Sequence, residues 1–326
     1  MSSTTERVPE LLLRETKAGG GPRAFVKAHP MLTYFALTFL ISWGGVVLVF
    51  AVGPRGFPVT FEQFEPFIPY WGLALVAGPA LAGPVVTALA DGRAGLRVLL
   101  SRLVRWRVGA RWYAVGLVGV PLAVLAVLLS LSLVSADFLP AIATTDDKAG
   151  LLAGIAAGLL AGVFEEIGWT GFAVPRLRRD RGVVAAGLLL GVVWALWHFL
   201  PYAGESGTPA GALSLEAFLP PVVFFVAVLP VFRVMMIWVW DRTASLPVAM
   251  VMHAGLSATT AFIFAPQVTG AALAGFYLAL AVVLWVVVAA VALTDRRRRS
   301  RPSPQRRAFA SAGSNRPEEA SEVNHS

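Results

Sequence analysis

The feature that most limits this chain is a series of apolar runs, each close to the ~20 residues that a helix needs to cross a bilayer. They lie at Met31–Val52, Ile68–Ala90, Trp112–Ala136, Gly150–Val174, Val183–Leu200, Phe218–Trp238, Leu246–Phe264 and Ala271–Leu293. Runs of this length read as membrane-spanning helices. The expected fold is therefore all-α: a polytopic integral membrane helical bundle of about eight transmembrane helices. The second run contains Gly78-Pro79 and Gly83-Pro84 and is expected to kink there.

The connections alternate in charge. The second carries Arg93, Arg97, Arg102, Arg105, Arg107 and Arg111 against Asp91, and the fourth carries Arg176, Arg178, Arg179 and Arg181 against Asp180. The sixth has Arg242, and Arg296 to Arg299 follow the last run. The third instead holds Asp137, Asp146 and Asp147 with Lys148, and the fifth holds Glu205 and Glu216. Because basic loops stay on the cytoplasmic side, this alternation predicts that both termini are cytoplasmic.

The chain is 57% hydrophobic and 14% charged, which is a membrane composition. Its net charge of +8 sits between and after the apolar runs, which fits loops facing an anionic leaflet. No basic stripe with interleaved aromatics lies on a soluble segment, so no nucleic acid is expected as a partner. There is no cysteine, which excludes disulfides, thiolate catalysis and cysteine-based zinc sites. Residues 1–30 read as a disordered cytoplasmic tail, without the apolar core of a signal peptide. Residues 31–295 read as the transmembrane domain, with its motif-bearing core at about 150–265, and residues 296–326 as a disordered basic cytoplasmic tail. Of the four histidines, His29 is expected at the edge of the first tail and His325 within the second, neither with a site role.

Inside the fourth run stand two adjacent carboxylates, Glu165-Glu166. A charged side chain deep in a bilayer costs at least ~2.5–3.5 kcal/mol on insertion scales, so such groups mark functional sites by default. The two remaining histidines each end an apolar stretch: His198 in Trp194-Ala195-Leu196-Trp197-His198, and His253 in Val251-Met252-His253. Depth groups them. From the turn near Gly182, Glu165 and His198 are 17 and 16 residues away along antiparallel helices, and at ~1.5 Å per residue they reach one level. His253 is 7 residues into its own run, or ~10 Å deep, in broadly the same layer. Glu166 and Thr170 share a helix face, as do His253 and Ser257. The two glutamates point about 100° apart, so one is expected to face a cavity while the other bonds a neighbouring helix.

These motifs resemble the CPBP family of membrane proteins, related to the CAAX prenyl endopeptidase of the Ras-converting type and also called the Abi or bacteriocin self-immunity family. The resemblance rests on Glu165-Glu166, on the aromatic stretch from Trp194 to His198, on His253, and on the context Gly168-Trp169 and Val174-Pro175-Arg176-Leu177. It implies an intramembrane endopeptidase in which Glu165, helped by His198, activates a water. It implies further that His253 and Ser257 donate to the oxyanion and that Glu166 positions the site. Thr170 stands where the family has Arg, and Ser257 where it has Asn. Arg233 or Arg176 is the expected replacement cation, and Arg233 has a competing reading as a snorkelling anchor. Trp194 is expected to support the site. No cofactor is expected; the alternative is zinc on Glu165, His198 and His253. The expected partners are the bilayer and a membrane-embedded or membrane-associated protein or peptide substrate, in the plasma membrane of a bacterial cell. A non-catalytic immunity or scaffold protein that binds a peptide is the alternative function. A transporter with a proton-relay carboxylate is a third, and the absence of a visible inverted repeat speaks against it.

Overall fold

The structure is a computed structural model and describes residues 21–300. No strand forms among the described residues. Helices run over α1 Pro22–Ala28, α2 Pro30–Val52, α3 Phe61–Phe64, α4 Ile68–Leu103, α5 Ala110–Ser132, α6 Ala141–Thr144 and α7 Lys148–Gly168. They continue with α8 Val174–Leu177, α9 Val183–Gly204, α10 Leu215–Val223, α11 Leu229–Thr243, α12 Leu246–Ala258 and α13 Gly270–Ser300. Three wide π-helical turns are inserted: Trp169–Ala173 joins α7 to α8, Phe224–Val228 joins α10 to α11, and Thr259–Ile263 extends α12. Followed through these turns, eight helices among the described residues are long and apolar enough to cross a membrane. The chain is thus an all-α, multi-pass membrane bundle. Internal contacts separate the bundle up to Leu284 from the residues after it, of which 285–300 are helical.

Several boundaries differ from expectation. Helical structure does not end at Ala90: after a break at Gly92 it resumes and runs to Leu103. Arginines do not end a helix, because their long stems lie along it while the charged heads reach water. The third run ends at Ser132 rather than Ala136. At the N-terminal side, Pro22–Ala28 is helical within the expected tail, with His29 exposed beside it. The last helix reaches Ser300, past the expected tail start at 296. The rest of both expected tails, with His325, lies outside the described residues.

The two prolines expected to kink this helix leave its backbone helical. Pro79 cannot donate to the carbonyl of Leu75, and that oxygen instead accepts the Ser42 hydroxyl at 2.6 Å. With the freed carbonyl satisfied from α2, α4 stays helical through both prolines. Its line breaks at Gly92 instead, where φ is +64°, a backbone state that only glycine adopts at little cost.

Contacts at the helix ends sort the connections into two sets. Arg176 pairs with Asp91, and Arg178 with Asp241. The Ser245 hydroxyl donates to the Arg105 carbonyl at 2.6 Å, and the rings of Trp112 and Trp238 meet edge to face at 5.6 Å. These contacts bring the arginine-rich connections to one end. At the other, Val59 N donates to Gly204 O at 2.8 Å, Ala141 N to Ala265 O at 2.9 Å and Gln267 N to Asp137 O at 3.0 Å.

Glycines set how closely the inner helices approach. Gly154, Gly158 and Gly162 recur every fourth residue along α7 and face α12 and the turn after it. A methyl group added at Gly162 would lie 2.7 Å from the Met250 carbonyl oxygen, and one at Gly158 would lie 3.1 Å from Ala258 N. Small residues at this spacing let backbones touch in an apolar medium, where packing rather than water drives association. Gly187 and Gly191 do the same for α9 against α11: added methyls would lie 2.6 Å from the Val234 Cα and 2.4 Å from the Pro230 Cα. Helices α7, α9, α11 and α12 are thereby drawn together. The spans that carry Arg233 and His253 have 61% of their apolar windows buried, against 22% for the first span, so they are inner helices.

Candidate active site

Glu165 and Glu166 occupy the last turn of α7, immediately before the π-helical turn Trp169–Ala173. Such turns widen a helix locally and are frequent at functional sites. The two carboxylates are treated differently. Glu166 is fully buried, and both of its oxygens are occupied. Its Oε2 accepts from Arg233 Nη1 at 2.9 Å and from the Thr170 hydroxyl. Its Oε1 accepts from Arg233 Nη2 at 3.1 Å and from His253 Nδ1 at 2.8 Å. Four elements therefore converge on one carboxylate: α7, the turn after it, α11 and α12.

Glu165 is held more loosely. Its Oε2 accepts from the Trp194 indole at 2.9 Å. Its Oε1 has no hydrogen bond among the described residues and lies 4.0 Å from His253 Nε2, beyond direct bonding distance. One glutamate was expected to face a cavity and the other to bond a neighbouring helix; in the structure both bond neighbouring helices, Glu166 through both oxygens and Glu165 through Oε2 to Trp194. Glu166 is the anchor and Glu165 has the open oxygen.

Trp194 links the parts. Its ring lies under the Arg233 guanidinium at 4.1 Å, its indole N–H holds Glu165, and it meets the His253 ring in a T-shaped contact at 5.0 Å between centroids. A buried guanidinium over an indole gains from the ring quadrupole, about 2 kcal/mol when both are desolvated. Arg233 Nε has no partner among the described residues, so the cation is held by four of its five donors at most.

His253 stands between the glutamates. A carboxylate only accepts, so the 2.8 Å contact with Glu166 makes Nδ1 the protonated nitrogen and turns Nε2 toward Glu165. With Nδ1 committed to Glu166, the nitrogen of His253 left to face Glu165 is Nε2. His198 is buried at the same level, but Nδ1 bonds the Trp194 carbonyl on its own helix at 2.8 Å. Its ring stacks on Phe225 at 4.5 Å. No bond joins it to Glu165, so the histidine nearest that carboxylate is His253.

Two further expectations change. Ser257 is half-buried one turn beyond His253 and packs against the Gly158 position, with no hydrogen bond to either glutamate. Arg176 lies away from the carboxylates, paired with Asp91 and placed over the Phe172 ring at 3.7 Å. Arg233 is the cation at Glu166. Its side chain has 0% exposure, so it is not a snorkelling anchor reaching for water. The glycine repeat on α7 was not singled out from the sequence, although small residues every four positions are a readable sign of close helix packing.

The zinc alternative can be tested on the donor set. Among the described residues no three His, Asp or Glu side chains are grouped to hold a metal ion. Glu165 is turned onto Trp194, His198 onto its own helix and His253 onto Glu166. As placed, these residues do not fit a zinc site.

Residues 147–259 match the model of the family described as Type II CAAX prenyl endopeptidase Rce1-like. The CAAX prenyl protease 2 of Methanococcus maripaludis is 27% identical over 139 residues, which cover 43% of this chain and 48% of that relative. The match thus spans about half the length of this curated relative. The family match opens at the N-cap of α7 and closes in the turn after α12, so it encloses the whole cluster. Over the segment that carries the ordered motifs and their convergence on one carboxylate, this multi-pass membrane protein is similar to the type II CAAX prenyl endopeptidases.

Proposed function

We propose that the protein is an intramembrane endopeptidase of the CAAX-protease-like type, acting on a membrane-associated protein or peptide in the plasma membrane of a bacterial cell. The observation that carries this reading is the unequal state of two adjacent carboxylates. One is fully bonded to a buried cation, and the other keeps an oxygen facing an imidazole nitrogen across 4.0 Å.

That gap suits one water held between Glu165 Oε1 and His253 Nε2. Glu165 takes a proton from the water as its oxygen attacks the peptide carbonyl carbon. When the C–N bond breaks, the same carboxyl returns the proton to the leaving amine. Glu166 holds the His253 ring through Nδ1, as the carboxylate of a catalytic triad orients its histidine. Arg233 balances the charge of Glu166, which leaves Glu165 as the carboxylate available for proton transfer. Trp194 fixes the rotamer of Glu165. Glu165 and His253 are each 3% exposed and His198 is 9% exposed, so substrate reaches them only when neighbouring helices part. The feature that favours a non-catalytic protein, the absence of Arg at position 170, is offset by Arg233.

Proteomics of membranes from cells expressing wild type or Glu165→Gln tests this. Cleaved termini that accumulate with wild type should fall about 10²–10⁴-fold with Glu165→Gln and with His253→Ala. Unchanged cleavage in both, at normal abundance, would leave the binding reading as the better account. Purified protein should keep its activity after thorough chelation, with well under one zinc per chain. Stoichiometric zinc whose removal stops turnover would overturn the metal-free mechanism.

A further inference from the structure

At the arginine-rich end of the bundle, away from the carboxylates, a cavity of about 210 Å³ opens between α4 and the segment formed by Trp169–Ala173 and α8. Its lining includes Asp91, Val98, Arg102, Pro175, Arg176 and Arg179. Arg176 already binds Asp91. Arg102 and Arg179 have no acidic partner among the described residues. Arg102 instead reaches the Gly171 carbonyl at 3.4 Å, a long hydrogen bond, and lies 5.6 Å from the Trp240 ring. Two helical elements far apart in sequence therefore bring three guanidiniums and one carboxylate around a single cavity. The balance of charge calls for an anion, and the forked donors of arginine match phosphate oxygens.

The position favours a lipid over a solute. The cavity lies where the apolar helices give way to arginines, which is the level of the headgroups, and basic pockets between transmembrane helices at this level take anionic headgroups. Val98 on its rim is 47% exposed, so an apolar surface adjoins the charged one, as a headgroup with its chain requires. We propose that this cavity binds the headgroup phosphate of an anionic phospholipid between Arg102, Arg176 and Arg179, with the acyl chains passing Val98. This inference is independent of the peptidase reading and is tested without catalysis.

The test is native mass spectrometry of the full chain in detergent with equal amounts of dioleoyl phosphatidylglycerol and dioleoyl phosphatidylcholine. Wild type should retain phosphatidylglycerol preferentially. The double variant Arg102→Gln/Arg179→Gln should lose that preference by about tenfold or more, and Arg107→Gln, outside the cavity, should keep it. Sodium phosphate at the same concentration should not displace the lipid. Equal retention of the two lipids by wild type would overturn the proposal, as would unchanged retention by the folded double variant. Displacement by phosphate would also overturn it, since the site would then be one for a free anion. If the double variant does not fold, the wild-type lipid comparison and the phosphate competition decide.

Discussion

Two arginine–carboxylate pairs in this protein are both two-pronged, one side-on and one end-on, and have very different surroundings. Arg178 grips Asp241 with a fork, Nε to Oδ1 at 3.0 Å and Nη2 to Oδ2 at 2.5 Å, and the side chains are 25% and 27% exposed. Arg233 grips Glu166 with a fork of 2.9 and 3.1 Å, and both are 0% exposed. Water reaches the first pair, screens it and takes over its hydrogen bonds when it breaks, so such pairs contribute about 0–1 kcal/mol. The second has no such substitute. Forming it costs the hydration of both ions, which cancels much of its attraction, yet losing one partner strands the other charge in an apolar interior. The difference teaches that the inner pair acts less as a source of stability than as a registration device: α7, α11 and α12 must meet in one arrangement or leave a charge unmatched.

The largest expected effect follows directly. Arg233→Ala should destabilise the protein by roughly 3–5 kcal/mol, read as a lower thermal midpoint in detergent or nanodiscs. Stability close to wild type would break the contrast. Next comes Thr170→Arg. Thr170 is 1% exposed and its hydroxyl lies 3.3 Å from Arg233 Nη1, so an added arginine meets both packing and like charge. Alone it should cost about 1–3 kcal/mol. Combined with Arg233→Ala it should recover part of that loss, because residue 170 then supplies the missing cation one turn from Glu166. Additive losses in the double variant would show that position 170 cannot replace Arg233.

Arg178→Ala sharpens the comparison from the other side, with an expected loss of no more than about 1 kcal/mol. A loss as large as that of Arg233→Ala would mean that exposure is not what separates the pairs. A pH-dependent test concerns Glu205, a half-buried carboxyl just past α9 with no cation partner among the described residues. Loss of surrounding water pushes its pKa from 4.5 up to about 8. Between these values the folded state binds the proton more tightly than the unfolded chain. Its contribution to stability therefore falls as pH rises through that window and levels off above it. Glu205→Gln should flatten the fall in thermal midpoint between pH 5 and pH 8.5, and an unchanged slope would assign it to other groups.

Much of the site can be read from the residues because polar groups are so scarce inside the spans. Glu165, Glu166, His198 and His253 are singled out by the cost of burying them, and counting residues along antiparallel helices suffices to put them at one depth. What cannot be counted is azimuth. The rotation of α9 decides that Trp194, not His198, donates to Glu165, and the rotation of α12 decides that Ser257 faces the Gly158 position on α7. Small errors in helix phase add up over several turns, and the π-helical turn after Glu166 shifts the phase again.

The sequence by itself determined the class of fold, the set of spans and the layer in which the ionisable groups meet. Each depends on hydrophobicity and rise per residue, which are local properties of the chain. Only the tertiary structure decided that Arg233 takes Glu166, that His253 turns its free nitrogen to Glu165 and that Arg102, Arg176 and Arg179 share a cavity. Those pairings join residues far apart in the chain, and they are set by how closely glycine-lined helices pack, a distance that no local pattern contains.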